Sequence, residues 1–107
     1  CINSAGEKVY PEEIEEVLKT HPTVVDALVV GVPDEKWGQA VTAVVRLEDA
    51  APFDESALRA HVRDRLAGYK TPKAIYLADI PLRASNGKAD YAAVRDFAVR
   101  QRNGSQA

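Results

Sequence analysis

The chain has 107 residues, 46% of them hydrophobic, with a net charge of −2. That is room for one ordinary globular domain, and the charge balance offers no basic stripe of the kind nucleic acid requires. No apolar run nears the roughly 18 residues of a membrane span. One cysteine excludes an internal disulfide framework and suits a reducing compartment; with only two histidines it supplies too few ligands for a zinc site. The chain begins at Cys1 and contains no methionine, so it reads as a piece of a longer protein.

In chain order, residues 1–8 read as a polar loop leading into a helix that opens at Pro11, where a missing N–H costs nothing. Glu12, Glu13, Glu15 and Glu16 favour the positive end of that helix dipole; Ile14, Val17 and Leu18 form its apolar stripe, and His21-Pro22 stops it. Residues 24–30, apolar except for Asp26, predict a strand buried on both faces. A turn over 31–35 and Trp37-Gly38 lead to a second strand over 40–47, antiparallel to the first because the connection is short. Asp54 caps a helix with Leu58, Val62 and Leu66 on one face, stopped at Gly68. Residues 74–77 form a short third strand, and residues 90–100 a last helix with Val94, Phe97 and Ala98 on one side. Residues 1–100 are then one α+β domain, a small mixed or antiparallel three-stranded sheet covered by helices, and residues 101–107 a flexible tail.

Two stretches invite a chemical reading. Leu82-Arg83-Ala84-Ser85-Asn86-Gly87-Lys88 puts a mobile cation behind a glycine that can take positive φ, which suits charge building up on a phosphate. Asn-Gly is also the strongest short hairpin signal, but a hairpin needs a strand on each side, and residues 89–100 look helical. On residue chemistry alone, a solvated lysine on a loop outweighs catalysis. Ser4-Ala5-Gly6-Glu7-Lys8 has small residues that would let backbone pass close to a thin ligand, against the simpler reading of a linker. Trp37 reads as a half-buried anchor, and Lys70 and Lys73 as solvated charge. A phosphate-binding loop of the Walker type would need glycine at position 82, which is Leu82, and the glycines make no dinucleotide fingerprint. Nothing in the chain by itself accounts for ATP binding.

Taken together, several stretches resemble the C-terminal domain of the adenylate-forming superfamily, and most of all fatty-acid–CoA ligases of actinobacterial type. These are Ile2 to Glu15, His21-Pro22 with Val24 to Pro33, Asp34-Glu35-Lys36-Trp37-Gly38-Gln39, Gly68-Tyr69-Lys70-Thr71-Pro72-Lys73, and Asn86-Gly87-Lys88-Ala89-Asp90-Tyr91. They fall in the family's order over about residues 1–98. The resemblance implies a lid that works with its own N-terminal adenylation domain, with ATP, Mg²⁺, CoA and a fatty acid. A carboxylate attacks the ATP α-phosphate to give acyl-AMP and pyrophosphate, and the CoA thiol then displaces AMP. Lys88 falls on the family's catalytic lysine, with Asn86 and Gly87 supporting its loop. Ser4, Ala5, Gly6, Glu7 and Lys8 fall on the loop beside the pantetheine tunnel, Ala5 standing where the family often has glycine and Lys8 near CoA phosphate. Leu82 and Ala84 depart from the family's usual lead-in. The resemblance implies no metal ligand in this chain and a cytoplasmic enzyme, with any membrane association left to the other domain. Two alternatives stand beside it: the lid of an aryl-CoA ligase or of a fatty-acyl-AMP ligase that loads a carrier protein, and a free-standing α+β interaction module without chemistry.

Overall fold

The apolar runs around residues 28 and 44 set the architecture, because each supplies buried side chains to both sides of a sheet. The computed structural model describes residues 1–104. Strand β1 (Ile2–Ser4) and strand β2 (Glu7–Val9) precede helix α1 (Pro11–Lys19). Strands β3 (Val24–Asp34) and β4 (Gly38–Leu47) follow, then helix α2 (Glu55–Arg63), a single 3₁₀ turn (Gly68–Lys70), strand β5 (Ala74–Leu77) and helix α3 (Tyr91–Gly104).

The long antiparallel β3–β4 hairpin is the spine, running in register from Asp26↔Arg46 to Asp34↔Gly38. The other edge of β4 takes two partners in succession. Ser4 of β1 pairs with Gly38, and β5 lies parallel along Thr42 to Val45. The sheet thus has five strands and is mixed. The three expected strands are present, and β1 and β2 are added where a loop was expected.

Side-chain alternation along the two long strands creates two cores. Ala27, Val29, Val41, Ala43 and Val45 face Ile14 and Leu18 of α1 and Leu58 and Val62 of α2. Leu28, Val30, Val32 and Val44 face Leu82 and the α3 residues Val94, Phe97 and Ala98. Helices therefore cover both faces. The local signals behave as expected: Pro11 opens α1, and the Asp54 side chain accepts the Ala57 N–H at the start of α2 (3.1 Å). On the first face, the two helices are joined by His61, whose Nε2 donates to the Val17 carbonyl (3.1 Å).

Four boundaries differ from expectation, the first being β4, which begins at Gly38 rather than at residue 40. Strand β3 runs on through Gly31, Val32 and Pro33, which pair with Val41, Ala40 and Gln39, so the turn shrinks to residues 35–37. Pro33 is tolerated because it lies one residue from the strand end. Helix α2 ends at Arg63, before Leu66 and Gly68. Helix α3 continues past Arg100 to Gly104, where Arg102 reaches the Asp34 carboxylate. The expected tail is therefore helical over residues 101–104, and its remainder lies outside the described residues.

The outer edge of β3 is closed by a side chain. Glu15, on α1, accepts the Val29 N–H at Oε2 (2.9 Å), and Tyr91, the first residue of α3, donates its hydroxyl to the same oxygen (2.8 Å). Burial pushes the Glu15 carboxyl above its ordinary value of 4.5, and the two bonds oppose this only in part. The folded state then holds the proton more tightly than the unfolded chain. The charged form costs stability, a cost absent below the unfolded pKa and complete above the folded one. Glu15→Gln keeps one oxygen able to accept both bonds. Its stability relative to wild type is expected to rise as pH climbs above the ordinary carboxyl value of 4.5 in denaturant unfolding; a relative fall would overturn the assignment.

Candidate functional site

The first candidate segment is a tight hairpin. Ser4 pairs with Glu7, and the two residues between them, Ala5 (φ 52°) and Gly6 (φ 86°), both have positive φ. That is the pattern of a type I′ turn, whose twist matches that of paired strands. Sequence reasoning missed it because Ala5 stands where Asn or Gly usually signals such a turn. Two contacts fix the hairpin to the sheet: the Ala5 N–H donates to the Trp37 carbonyl (2.7 Å), and the Asn3 N–H donates to Gln39 Oε1 (2.9 Å). Gln39 fits because Gly31 lies beneath it; a Cβ at Gly31 would sit 3.0 Å from Gln39 Nε2. Ser4 is buried, so it belongs to the scaffold, while Ala5, Gly6, Glu7 and Lys8 are exposed. A Cβ at Gly6 would meet nothing within 4 Å. The hairpin tip is thus open ground for a partner surface or a thin ligand.

Trp37 lies half-buried behind this tip, as an anchor should. Lys73 Nζ sits 4.1 Å from its ring centroid and Lys36 Nζ 4.9 Å, both in cation–π range. Asp34 orders the turn by accepting the Lys36 and Trp37 N–H groups (2.7 and 2.9 Å). Arg102 beside it and these backbone bonds hold the Asp34 carboxyl below the usual range. Lys70 pairs with Glu13 (2.6 Å). Lys70 and Lys73, expected as solvated charge, are half-buried and each has a partner.

The second segment is also a hairpin, although the helical look of residues 89–100 weighed against one. Arg83 bridges to Ala89, the Ala84 N–H donates to the Lys88 carbonyl (2.9 Å), and the Gly87 N–H donates to the Ala84 carbonyl (2.9 Å). Ser85, Asn86 and Gly87 form a three-residue loop, and Gly87 takes φ 85° at the position where such loops need a left-handed residue. Hairpin and helix coexist because the arms are one bridge long. The Asp90 N–H still bonds Leu82, while the Asp90 side chain accepts the Ala93 N–H at the start of α3 (3.2 Å). Asn86 Oδ1 accepts the Lys88 N–H (3.0 Å), so Asn86 and Gly87 shape the loop that carries Lys88. Lys88 is exposed.

Both arms are held by residues that sequence reasoning did not single out. Arg83 binds Asp26 on β3 (Nε to Oδ2, 2.9 Å; Nη2 to Oδ1, 3.1 Å), and Tyr91 binds Glu15. Burial pulls the Asp26 carboxyl up, but Arg83 and the Ala27 N–H outweigh it and hold it below the usual range. Asp26 did carry a signal: a charge inside an apolar strand requires a partner.

The two hairpins are not brought together. The Lys88 hairpin is tied to Asp26, near the start of β3, and the Ala5-Gly6 hairpin to the turn that Asp34 orders at its end. Asp26 and Asp34 themselves lie eight positions apart on β3, about 26 Å at ~3.3 Å per residue. No helix among the described residues is long and apolar enough to cross a membrane.

Comparison with known proteins fits this arrangement. Residues 13–88 match the family described as the AMP-binding enzyme C-terminal domain. The medium-chain acyl-CoA ligase Mig of Mycobacterium avium is 50% identical over 99 residues, 92% of this chain and 18% of that protein. The 2-succinylbenzoate–CoA ligase of Geobacillus kaustophilus is 55% identical over 78 residues, 73% of this chain and 16% of that protein. The solved structure of a Mycobacterium tuberculosis fatty acyl CoA synthetase superposes with a TM-score of 0.84 at 35% identity, covering 92% of this chain and 20% of that one. The chain thus spans less than a fifth of the length of these curated relatives. With the family's match covering most of its length and half of the 99 aligned residues identical to those of a named ligase, the chain belongs to the AMP-binding enzyme C-terminal domain family.

Proposed function

We propose that this chain is the lid of an AMP-forming fatty-acid–CoA ligase, serving two half-reactions with its two ends. The observation that carries the reading is that the two hairpins are attached at different ends of the β3–β4 pair, one at Asp26 and the other at Trp37 and Gln39. A body built this way cannot offer both tips to one reaction centre at once; it must turn between steps. Both tips are exposed, as groups that act across a domain boundary must be.

In the first step, Lys88 supplies a cation where negative charge gathers on the α-phosphate and the attacking carboxylate, and it helps hold the two in line. A glycine-borne loop with an exposed lysine fits that role. In the second step, the Ala5-Gly6 tip lines the path of the pantetheine arm, and the open space beside Gly6 fits a thin chain. Lys8, exposed on β2, would meet CoA phosphate in this reading. ATP, Mg²⁺ and the acyl group are held mainly by the N-terminal domain. The reading places the enzyme in the cytoplasm, where ATP and CoA are supplied.

The likeness to a 2-succinylbenzoate–CoA ligase favours a second reading, in which the lid serves an aromatic acid. Supplying the full-length enzyme with ATP, Mg²⁺, CoA and a series of carboxylic acids separates the two. Medium- or long-chain fatty acids are expected to give acyl-CoA, AMP and pyrophosphate. Turnover of aryl acids alone would favour the second reading. An acyl-adenylate that passes only to a carrier protein, or no adenylate at all, would overturn both.

A further inference from the structure

Lys88 is carried on a short exposed hairpin, so something must decide where its side chain points. The peptide unit joining Gly87 to Lys88 is held at both ends. Asn86 Oδ1 accepts its N–H (3.0 Å), and Arg83 Nη1 reaches its carbonyl oxygen (3.4 Å). Arg83 gives two further donors to Asp26, through Nε and Nη2 at 2.9 and 3.1 Å. This two-pronged geometry fixes the guanidinium plane in a way a lysine could not. Asp26 is held in turn, because its Oδ1 accepts the Ala27 N–H (2.9 Å) beside a register irregularity in β3. The Asp26 side chain is only 16% exposed, and that of Arg83 42%. A line of bonds therefore runs from the sheet, through Asp26 and Arg83, to the backbone of the lysine.

We propose that Asp26 and Arg83 are positioning residues that aim Lys88, the guanidinium fixing the Gly87–Lys88 peptide relative to the β3 edge. The inference rests on the lid reading above, in which Lys88 acts in adenylation. Neither residue touches substrate; both act through the lysine. Asp26→Asn keeps the shape and hydrogen-bonding oxygen of the side chain, and Arg83→Lys keeps the charge on the more exposed partner, so each should cost little global stability. Losing the pair should show in the direction of the tip and leave folding nearly intact.

The test uses the full-length enzyme and measures three quantities: pyrophosphate release with ATP and fatty acid, thioester formation from supplied acyl-adenylate and CoA, and the thermal midpoint. Asp26→Asn and Arg83→Lys are each expected to lower kcat for adenylation about tenfold, since small misplacements of a reacting group are costly. The KM for ATP, thioester formation and the thermal midpoint should stay near wild type. In a Lys88→Ala background the same changes should have no further effect, because the residue they aim is gone. Equal losses in both half-reactions, or an added loss in the Lys88→Ala background, would overturn the proposal in favour of a general structural role. The lid reading is judged separately. If Lys88→Ala adenylates normally, that reading falls; if Lys88→Ala fails while Asp26→Asn and Arg83→Lys adenylate normally, the reading stands and the positioning proposal falls.

Discussion

Lys88→Ala in the full-length enzyme is expected to reduce adenylation by about 10²–10³-fold, the usual loss when one group stabilising transition-state charge is removed. Thioester formation from supplied acyl-adenylate should be spared. The asymmetry follows from position: Lys88 stands at the Asp26 end of β3, and the hairpin assigned to the second step stands at the Asp34 end. The substitution should not disturb the fold, because Lys88 is exposed and the bonds shaping its loop use backbone groups and the side chains of Asn86 and Arg83. Lys88→Arg should recover little activity, since a broad planar cation does not replace a compact one on a tip this tight. Pyrophosphate release and thioester formation, assayed separately, decide the matter; an equal loss in both would sink the two-ended lid.

Gly6→Leu is expected to do the reverse, cutting thioester formation by about 10²-fold, as a misfit of an ångström in reacting groups does, while adenylation continues. Two effects must be separated. At φ 86° any residue with a Cβ is strained, by about 1–2 kcal/mol. Nothing in this chain lies within 4 Å of that Cβ, so there is no internal clash to add. Gly6→Ala bears the same backbone strain with little bulk and is the control. If the tip lines a narrow path for pantetheine, leucine should block where alanine only slows. A leucine variant that adenylates poorly yet transfers normally would contradict the assignment of this hairpin to the second step.

Much of this was legible before any coordinates. Pro11 and its following glutamates opened α1, Asp54 capped α2, and the apolar runs around residues 28 and 44 gave the two long strands, because each signal acts within a few residues of itself. The short elements were not legible. Strands β1 and β2 are three residues each, too brief for an alternation pattern, and Ala5 hides their turn. The Asn86-Gly87 turn signal was sound, but it was set against the helix that follows, and a hairpin with a single bridge leaves room for both. The tail was read as frayed from its composition, whereas Arg102 meets Asp34, 68 residues away.

The sequence by itself determined the three helices and the three longer strands and, through the order of its motifs, the family in which Lys88 and Gly6 acquire their meaning. Tertiary structure alone decided where those residues stand. Asp26 meets Arg83 across 57 positions and Glu15 meets Tyr91 across 76, distances at which no helical or strand period reaches. Local propensity can specify a hairpin. Only the packing of helices onto both faces of the β3–β4 spine lets one hairpin bond Asp26 of β3 and the other bond Trp37 and Gln39 at the far turn.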